Sequence, residues 1–510
     1  MARYSSILFP QGGAPKGVDG APVCFPDLHL DEIIAAVTAG HPDDHVNRFF
    51  CIPLRELSTV EHRQQVFRDL ECDQTREPIW NFVNGMRTMR RRLHQAKHLS
   101  NPLQRQGWFI YAVQTFCDTV ALLRDDLAHV NLASRGLRDF ADYLAEYVES
   151  HAFRRLVSDT EAVQTDLHKV RYTLHIQGLR VHVEKYEGQS DYSEGVVATF
   201  ERFATEIGED YHVALEDYAD MDHVEEQVLN CVAQLYPDAF ALLDGYCRRN
   251  ERFVDSAIVQ FDHEIRFYLY YLAFVRRFTT AGLNFSYPEV TTEPGALSAD
   301  DAFDLALAIK STDEAQPLVG NGFSLSEPER ILVVTGPNQG GKTTFARTIG
   351  QCAYLASLGC PIPAGRARFT LPDQIYTHFE RQEVLSSLHG KLEDELVRIH
   401  EILSRATATS MIIMNESLSS TTVRDALLIG TEILERIIKL RCVAVCVTFL
   451  DELASVDQAC VSMVGEVAPD DPTQRTFKFI RRPADGLAYA AALADKHGLN
   501  HDVLRRRITR

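Results

Sequence analysis

The sequence predicts a mostly helical region followed by an α/β domain with a largely parallel sheet. Three observations carry this expectation. From about Pro53 to Phe278 apolar residues recur near helical spacing, as at Leu54, Leu57, Val60, Val66, Phe67 and Leu70. Beyond residue 320 the pattern changes to short β-favouring runs at 331–334 (ILVV), 410–416 (SMIIMNE) and 442–448. These alternate with helical stretches such as 346–356 and 423–440, the signature of strand–helix units. Between the first of these strands and its helix lies Gly336-Pro-Asn-Gln-Gly-Gly-Lys342-Thr343, which fits the G-x-x-x-x-G-K-[ST] phosphate loop.

Length and charge bound the rest. The 510 residues suffice for about three or four domains at the usual domain size. With 71 acidic against 52 basic residues the formal net charge is −19, a field that repels polyanions, so contact with nucleic acid requires a local basic patch. The eleven cysteines are scattered without a C-x-x-C pair, as expected of buried reduced thiols rather than a zinc or redox site. No signal peptide opens the chain, and no apolar run reaches the roughly 18 residues of a membrane span. The expectation is a cytoplasmic protein with no membrane partner.

In chain order, residues 1–50 form a mixed N-terminal segment with a glycine-rich loop (Gly12, Gly13, Gly17, Gly20) and an amphipathic helix candidate at 28–38. Residues 51–285 form the helical part. Ser58 is placed to cap its first helix, and Ser100-Asn-Pro102 breaks it. Arg87, Arg90, Arg91, Arg92 and Lys97 are its densest basic run; Arg87, Arg91, His94 and His98 share a helical face, either phosphate-binding or merely solvated. At 172–186 the period alternates and turns near Gln177-Gly178, which predicts a small hairpin. Residues 187–226 then hold thirteen Asp or Glu against the single Arg202, read as a solvated face. Helices are expected over 224–278, ending in an aromatic run at 267–274 that belongs to a core. Residues 281–294, with Pro288 inside, lead into the last domain, 286–510.

Chemistry concentrates at the phosphate loop. Glycines allow successive backbone N–H groups to turn around a phosphate, and the helix N-terminus adds positive potential. Lys342 then reaches the β- and γ-phosphates, and the Thr343 hydroxyl binds Mg²⁺. A nucleoside triphosphate is the expected ligand. The second strand ends in Asn415-Glu416, the Walker B position, where a carboxylate normally holds Mg²⁺ through water and the following Glu orients attacking water. Asn415 can bind a Mg²⁺-bound water but contributes no charge.

These residues carry a family resemblance. GPNQGGKTT is similar to the phosphate loop of the MutS mismatch-repair ATPases, and the likeness continues through Pro361-Ile-Pro-Ala364, Glu395, Asn415-Glu416, Ser420-Thr421-Thr422, Asp425, Thr448 and Phe477-Lys-Phe479. It extends to Gly486-Leu487, His497-Gly498-Leu499 and Val503-Leu504, and upstream to Pro53-Leu54 and His62-Arg63-Gln64. The resemblance implies a helical core and lever followed by a P-loop ABC-type ATPase domain using ATP and Mg²⁺. It makes Gly336, Pro337, Asn338, Gln339, Gly340, Gly341, Lys342, Thr343 and Thr344 the triphosphate cradle and puts Asn321 on the adenine side. Thr343 and Asn415 would face the metal through water, and Glu416 and Lys342 would be catalytic. A homodimer through the ATPase domain is implied, with DNA or a protein as further partner.

The departures from the family are specific. Asn415 stands where the family has its Mg²⁺-binding Asp, Phe449 where it has the His of a Thr-His pair, and Gly390-Lys391 where a Ser-Thr extends toward the partner's nucleotide. Slow hydrolysis is the expectation. Mismatch readers wedge a Phe into DNA from a domain ahead of the helical core. With the core beginning near residue 50, no such domain is expected, nor a nuclease-like domain after residue 510. Two functions follow: a DNA-repair-type ATPase binding DNA without mismatch reading, and a slow ATP-gated dimeric switch holding a protein partner.

Overall fold

The computed structural model describes residues 4–12, 20–41, 44–189, 220–314, 318–380, 390–468 and 471–484. Most of the acidic 187–226 stretch and the matches from Gly486 onward lie outside the described residues. Contacts divide the chain into two units: residues 1–4, 73–131 and 138–262 form one, and 5–72, 132–137 and 263–510 the other. Residues 5–72 therefore belong with the α/β part of the chain.

In the first unit, the helices Asp73–His98 and Pro102–Ala128 are separated at the expected break. Asn101 makes that break a helix start: its Oδ1 accepts from the N–H groups of Leu103 and Gln104 at 2.9 and 3.1 Å, and Pro102 suits the first helical position. Gly85 lets the two helices close, since a Cβ there would fall 2.3 Å from Thr119 Oγ1. Phe82 and Phe140 pack on Phe261 in the core. The hairpin forms as expected, with strand β1 (Tyr172–Gln177) antiparallel to β2 (Arg180–Lys185) and Gly178 at φ 60° in the turn.

In the second unit, the helix Leu57–Glu71 begins two residues before the position that would let Ser58 cap it. Its N-cap is Glu56, without a side-chain bond, and Ser58 Oγ instead accepts from Gln11 Nε2 at 3.5 Å. The aromatic run is core, with Phe267, Tyr268 and Tyr271 fully buried. Arg63, also fully buried, donates to the carbonyl oxygens of Leu8 and Leu358 at 3.2 and 3.1 Å and lies against the rings of Phe9 and Phe267. Buried Glu264 accepts from Ser6 Oγ and Ile7 N–H at 2.8 and 2.9 Å, fixing the N-terminal segment.

Two sheets organise the rest. The smaller consists of β3 (Glu289–Thr291), β4 (Leu297–Ala302), β5 (Asn321–Leu325) and β7 (Ala367–Thr370), in the order β3-β7-β4-β5. The larger has six strands: β6 (Ile331–Thr335), β8 (Ile375–Phe379), β9 (Met411–Asn415), β10 (Val443–Val447), β11 (Cys460–Ala468) and β12 (Asp471–Arg481). Their order across the sheet is β12-β11-β6-β10-β9-β8. All run parallel except β12, which pairs antiparallel with β11. The central strands β6, β9 and β10 are buried throughout, which explains their unbroken apolar runs. The architecture is thus mixed helix and sheet, with the parallel sheet in the C-terminal half.

Candidate functional site

Strand β6 delivers the glycine-rich loop 336–341 from the centre of the sheet, between β10 and β11. The loop turns through positive φ at Gly336 (132°), Gln339 (58°) and Gly341 (87°), and the helix Lys342–Ser357 begins directly after it. Glycine at 336 is a requirement of space as well as of backbone angle, because a Cβ would lie 2.9 Å from the Gly465 nitrogen. Gly350 seats that helix: a Cβ there would meet Leu28 at 2.5 Å and Ile413 at 2.6 Å.

Lys342 is 4% exposed. Its Nζ donates to Gly336 O, Pro337 O and Asn338 Oδ1 at 3.2, 3.3 and 3.3 Å, lies 3.9 Å from Glu416 Oε1, and sits 4.8 Å from the centre of the Phe449 ring. Burial pushes its pKa below the ordinary lysine value; Glu416 partly opposes that shift and Arg475 adds to it. Thr343 Oγ1 donates to Asn415 Oδ1 at 2.9 Å. Asn415 ends β9, and Glu416 follows with its N–H donated to Val447 O at 3.0 Å.

A cavity of about 460 Å³ opens on this group. Gln339, Gly340, Gly341, Lys342, Thr343, Thr344 and Glu416 line one part of it, and Leu307, Val319, Phe477 and Phe479 supply apolar walls. Glu416 is the one carboxylate among the described lining residues. Gly336, Pro337, Asn338 and Asn415 stand behind the lining and act through the bonds just given. Asn321 lines the cavity, but its amide is engaged: Nδ2 donates to Phe477 O at 3.0 Å and Oδ1 accepts from Phe479 N–H at 2.8 Å. It ties β5 to β12 where β12 departs from regular backbone, with Phe477 at φ 58°. The Phe479 ring stacks on Phe345 in the helix after the loop. These aromatic walls were not anticipated from the sequence. The alternation of Thr476-Phe477-Lys478-Phe479-Ile480 is the signal that could have marked a strand there.

The other singled-out positions fall elsewhere. Lys391 starts the helix Lys391–Arg405 and pairs with Glu380 at 2.5 Å. In the first unit the basic run divides. Arg90 pairs with fully buried Asp262, and Arg92 donates to Thr115 Oγ1 and Tyr111 O, whereas Arg91, His94, Lys97 and His98 are exposed. The free cysteines form no disulfide, no group of three or more metal-ligating side chains occurs, and no helix is long and apolar enough to cross a membrane, all among the described residues.

Comparison with known proteins finds similarity in the C-terminal part of the chain. The family model for MutS domain V matches residues 332–505. DNA mismatch repair protein MutS of Orientia tsutsugamushi (strain Boryong) is 26% identical over 227 residues, which cover 44% of this chain and 25% of that protein. Endonuclease MutS2 of Thermus thermophilus is 28% identical over 193 residues, 37% of this chain and 25% of that protein. The matched stretch thus spans a quarter of the length of either relative.

Proposed function

We propose that this chain, whose residues 332–505 match the family model for MutS domain V, is a slow ATPase of the DNA-repair type that binds ATP and Mg²⁺ and engages DNA without reading mismatches. The observation that carries this reading is the convergence of Lys342, Thr343 and Glu416 on one cavity behind a glycine loop, with Asn415 bonded to Thr343 behind the lining. The residues fit a Mg·triphosphate. The buried Lys342 ammonium has neutral oxygens around it that a phosphate can replace, and the loop glycines leave room that Cβ atoms would fill. When bound, the metal would supply charge to the phosphates. Thr343 would offer its hydroxyl oxygen to the metal, Asn415 would accept from a metal-bound water, and Glu416 would orient a second water.

The walls Leu307, Val319, Phe477 and Phe479 suit a base by apolar contact. Asn321 serves this site by holding Phe477 and Phe479 in place rather than by reading a base edge. Hydrolysis is slow because Asn415 adds no negative charge and Phe449 cannot accept or donate a proton.

A second reading, an ATP-gated dimeric switch holding a protein partner, is favoured by one observation. Arg90 and Arg92 of the basic run are spent on contacts within the first unit, which shrinks the surface available to phosphates. Fluorescence anisotropy on matched and singly mismatched duplexes, across a salt series and with or without Mg·ATP, separates the two. Equal binding of both duplexes with a shallow salt slope is the expected result. Mismatch preference overturns the first reading, and no binding at low salt selects the second.

A further inference from the structure

The turn that carries Glu416 is strained and held from outside the cavity. Glu416 has φ 51° and Leu418 φ 67°, in the left-handed region that disfavours a non-glycine residue by about 1–2 kcal/mol. Such backbone persists only where its surroundings over-determine it. Three groups do so here. Val447 O of β10 accepts the Glu416 N–H at 3.0 Å. Ser417 Oγ shares a 2.8 Å hydrogen bond with Nδ1 of His378 in β8. Glu395 Oε2, from the helix Lys391–Arg405, accepts from Leu418 N–H at 3.2 Å and from Ser420 Oγ at 3.4 Å.

His378 and Glu395 are both buried, at 1% and 6% exposed, and neither lines the cavity. A buried imidazole and a buried carboxylate thus close on the two sides of one cavity-facing glutamate without reaching the site themselves. We infer that His378 is a positioning residue for Glu416. By binding Ser417 Oγ it holds the left-handed turn that presents the Glu416 carboxylate to the cavity, with Glu395 as the second anchor.

The alternative is a bond that only supports β8 against β9. The two roles differ in what they move. A purely structural bond lowers stability without changing the turn in the folded protein. A positioning bond changes the turn and the step that depends on Glu416 while leaving triphosphate binding, which rests on Lys342 and the loop, in place. The link to water orientation rests on the function proposed above; the anchoring does not.

Ser417→Ala removes the bond from the half-buried side and leaves the fold intact, His378→Leu removes it from the buried side, and His378→Asn keeps a polar atom near the Nδ1 position. Amide hydrogen exchange on the nucleotide-free protein reads the turn directly. Faster exchange at residues 417–418 is expected in Ser417→Ala and His378→Leu, with His378→Asn close to wild type. In single-turnover experiments, binding of a fluorescent ATP analogue should be unchanged. Phosphate release should fall about tenfold in either single variant, as for a misplaced catalytic group, and no further in the double variant. Unchanged exchange in Ser417→Ala overturns the inference whether or not nucleotide binds. Faster exchange with undiminished phosphate release overturns the link to Glu416. Failure of the wild-type protein to bind the analogue overturns the proposed function, while exchange still decides the anchoring.

Discussion

The Thr343 hydroxyl donates to Asn415 Oδ1 across 2.9 Å, joining the helix after the glycine-rich loop to the end of β9. Both partners are neutral, so the position where charge would count most for a divalent cation is held by dipoles. Replacing Asn415 by Asp restores a formal charge there without changing size. Asn415→Asp is expected to lower the Mg²⁺ concentration at half-maximal phosphate release by about tenfold and to raise the rate, since charge placed at the site is the largest catalytic lever. Steady-state phosphate release over a Mg²⁺ titration measures both. Identical curves for wild type and variant would show that Mg²⁺ is held without this position.

Burial, the largest influence on Lys342, holds its pKa below the ordinary 10.5. A lysine depressed in the folded state loses its proton before the unfolded chain does. Through this group, stability therefore rises with pH between the folded value and 10.5. Affinity for a polyanion moves the other way over the same window, because the ammonium is lost. Titrations with a fluorescent ATP analogue at increasing alkaline pH should show weakening before the ordinary lysine range is reached. Lys342→Met should bind at least about tenfold more weakly, having lost a charge-assisted contact, and should lack that pH dependence.

Asn321 spends both ends of its amide on β12. Asn321→Ala leaves the Phe479 N–H and the Phe477 carbonyl without that partner and should destabilise the protein by about 1–3 kcal/mol. The fluorescent ATP analogue should also bind less tightly, as the Phe477 and Phe479 walls loosen. Asn321→Asp keeps the acceptor for Phe479 and should lose less. Thermal unfolding of the three proteins, with and without nucleotide, provides the ordering.

In the sequence Arg90 belongs to a basic run that is either phosphate-binding or merely solvated, whereas the structure pairs it with an aspartate that is 0% exposed. Arg90→Ala should therefore destabilise the first unit by about 3 kcal/mol, the usual consequence of removing one partner from a buried charge. Lys97→Glu, on the exposed part of the same helix, should leave stability within about 0.5 kcal/mol. Chemical denaturation of both variants gives the contrast, and equal midpoints would refute it.

If two chains close over shared sites, Mg·ATP should stabilise the dimer by binding that form more tightly. Light scattering over a protein dilution series, with and without Mg·ATP, should show the mass shifting toward twice the chain with nucleotide. A single-chain mass throughout would rule out paired sites.

The fold was legible where one local rule decides the outcome. Unbroken apolar runs marked β6, β9 and β10, the helix Val423–Leu440 was read to the residue, and Gln177-Gly178 marked the hairpin turn. The small sheet was missed because its strands are short. β3 has three residues, and it pairs with β7, nearly eighty positions away, so no local alternation announces it. At the site, the loop and Asn415-Glu416 were visible as spacing. His378, the anchoring role of Glu395 and the Asn321 tie were not, because they arise from hydrogen bonds between elements distant in the chain. Ser58 failed as a cap because the helix starts two residues earlier, a shift that amino-acid preference does not resolve.

The buried N-terminal segment carries a consequence for how the protein is made. Ser6 bonds to Glu264, 258 positions later; Arg63 reaches Leu358, 295 positions on; and Leu28 O accepts from Gln351, 323 positions on. During translation these residues therefore wait for partners that are synthesised hundreds of positions later. Contacts of such separation close slowly. A nascent chain halted before residue 342 holds Leu28 and Arg63 without the helix and loop that receive them. The first unit, whose helices draw on residues 73–131 and 138–262, has its own contacts complete by then. The α/β half can consequently complete its contacts only after the first unit has been synthesised.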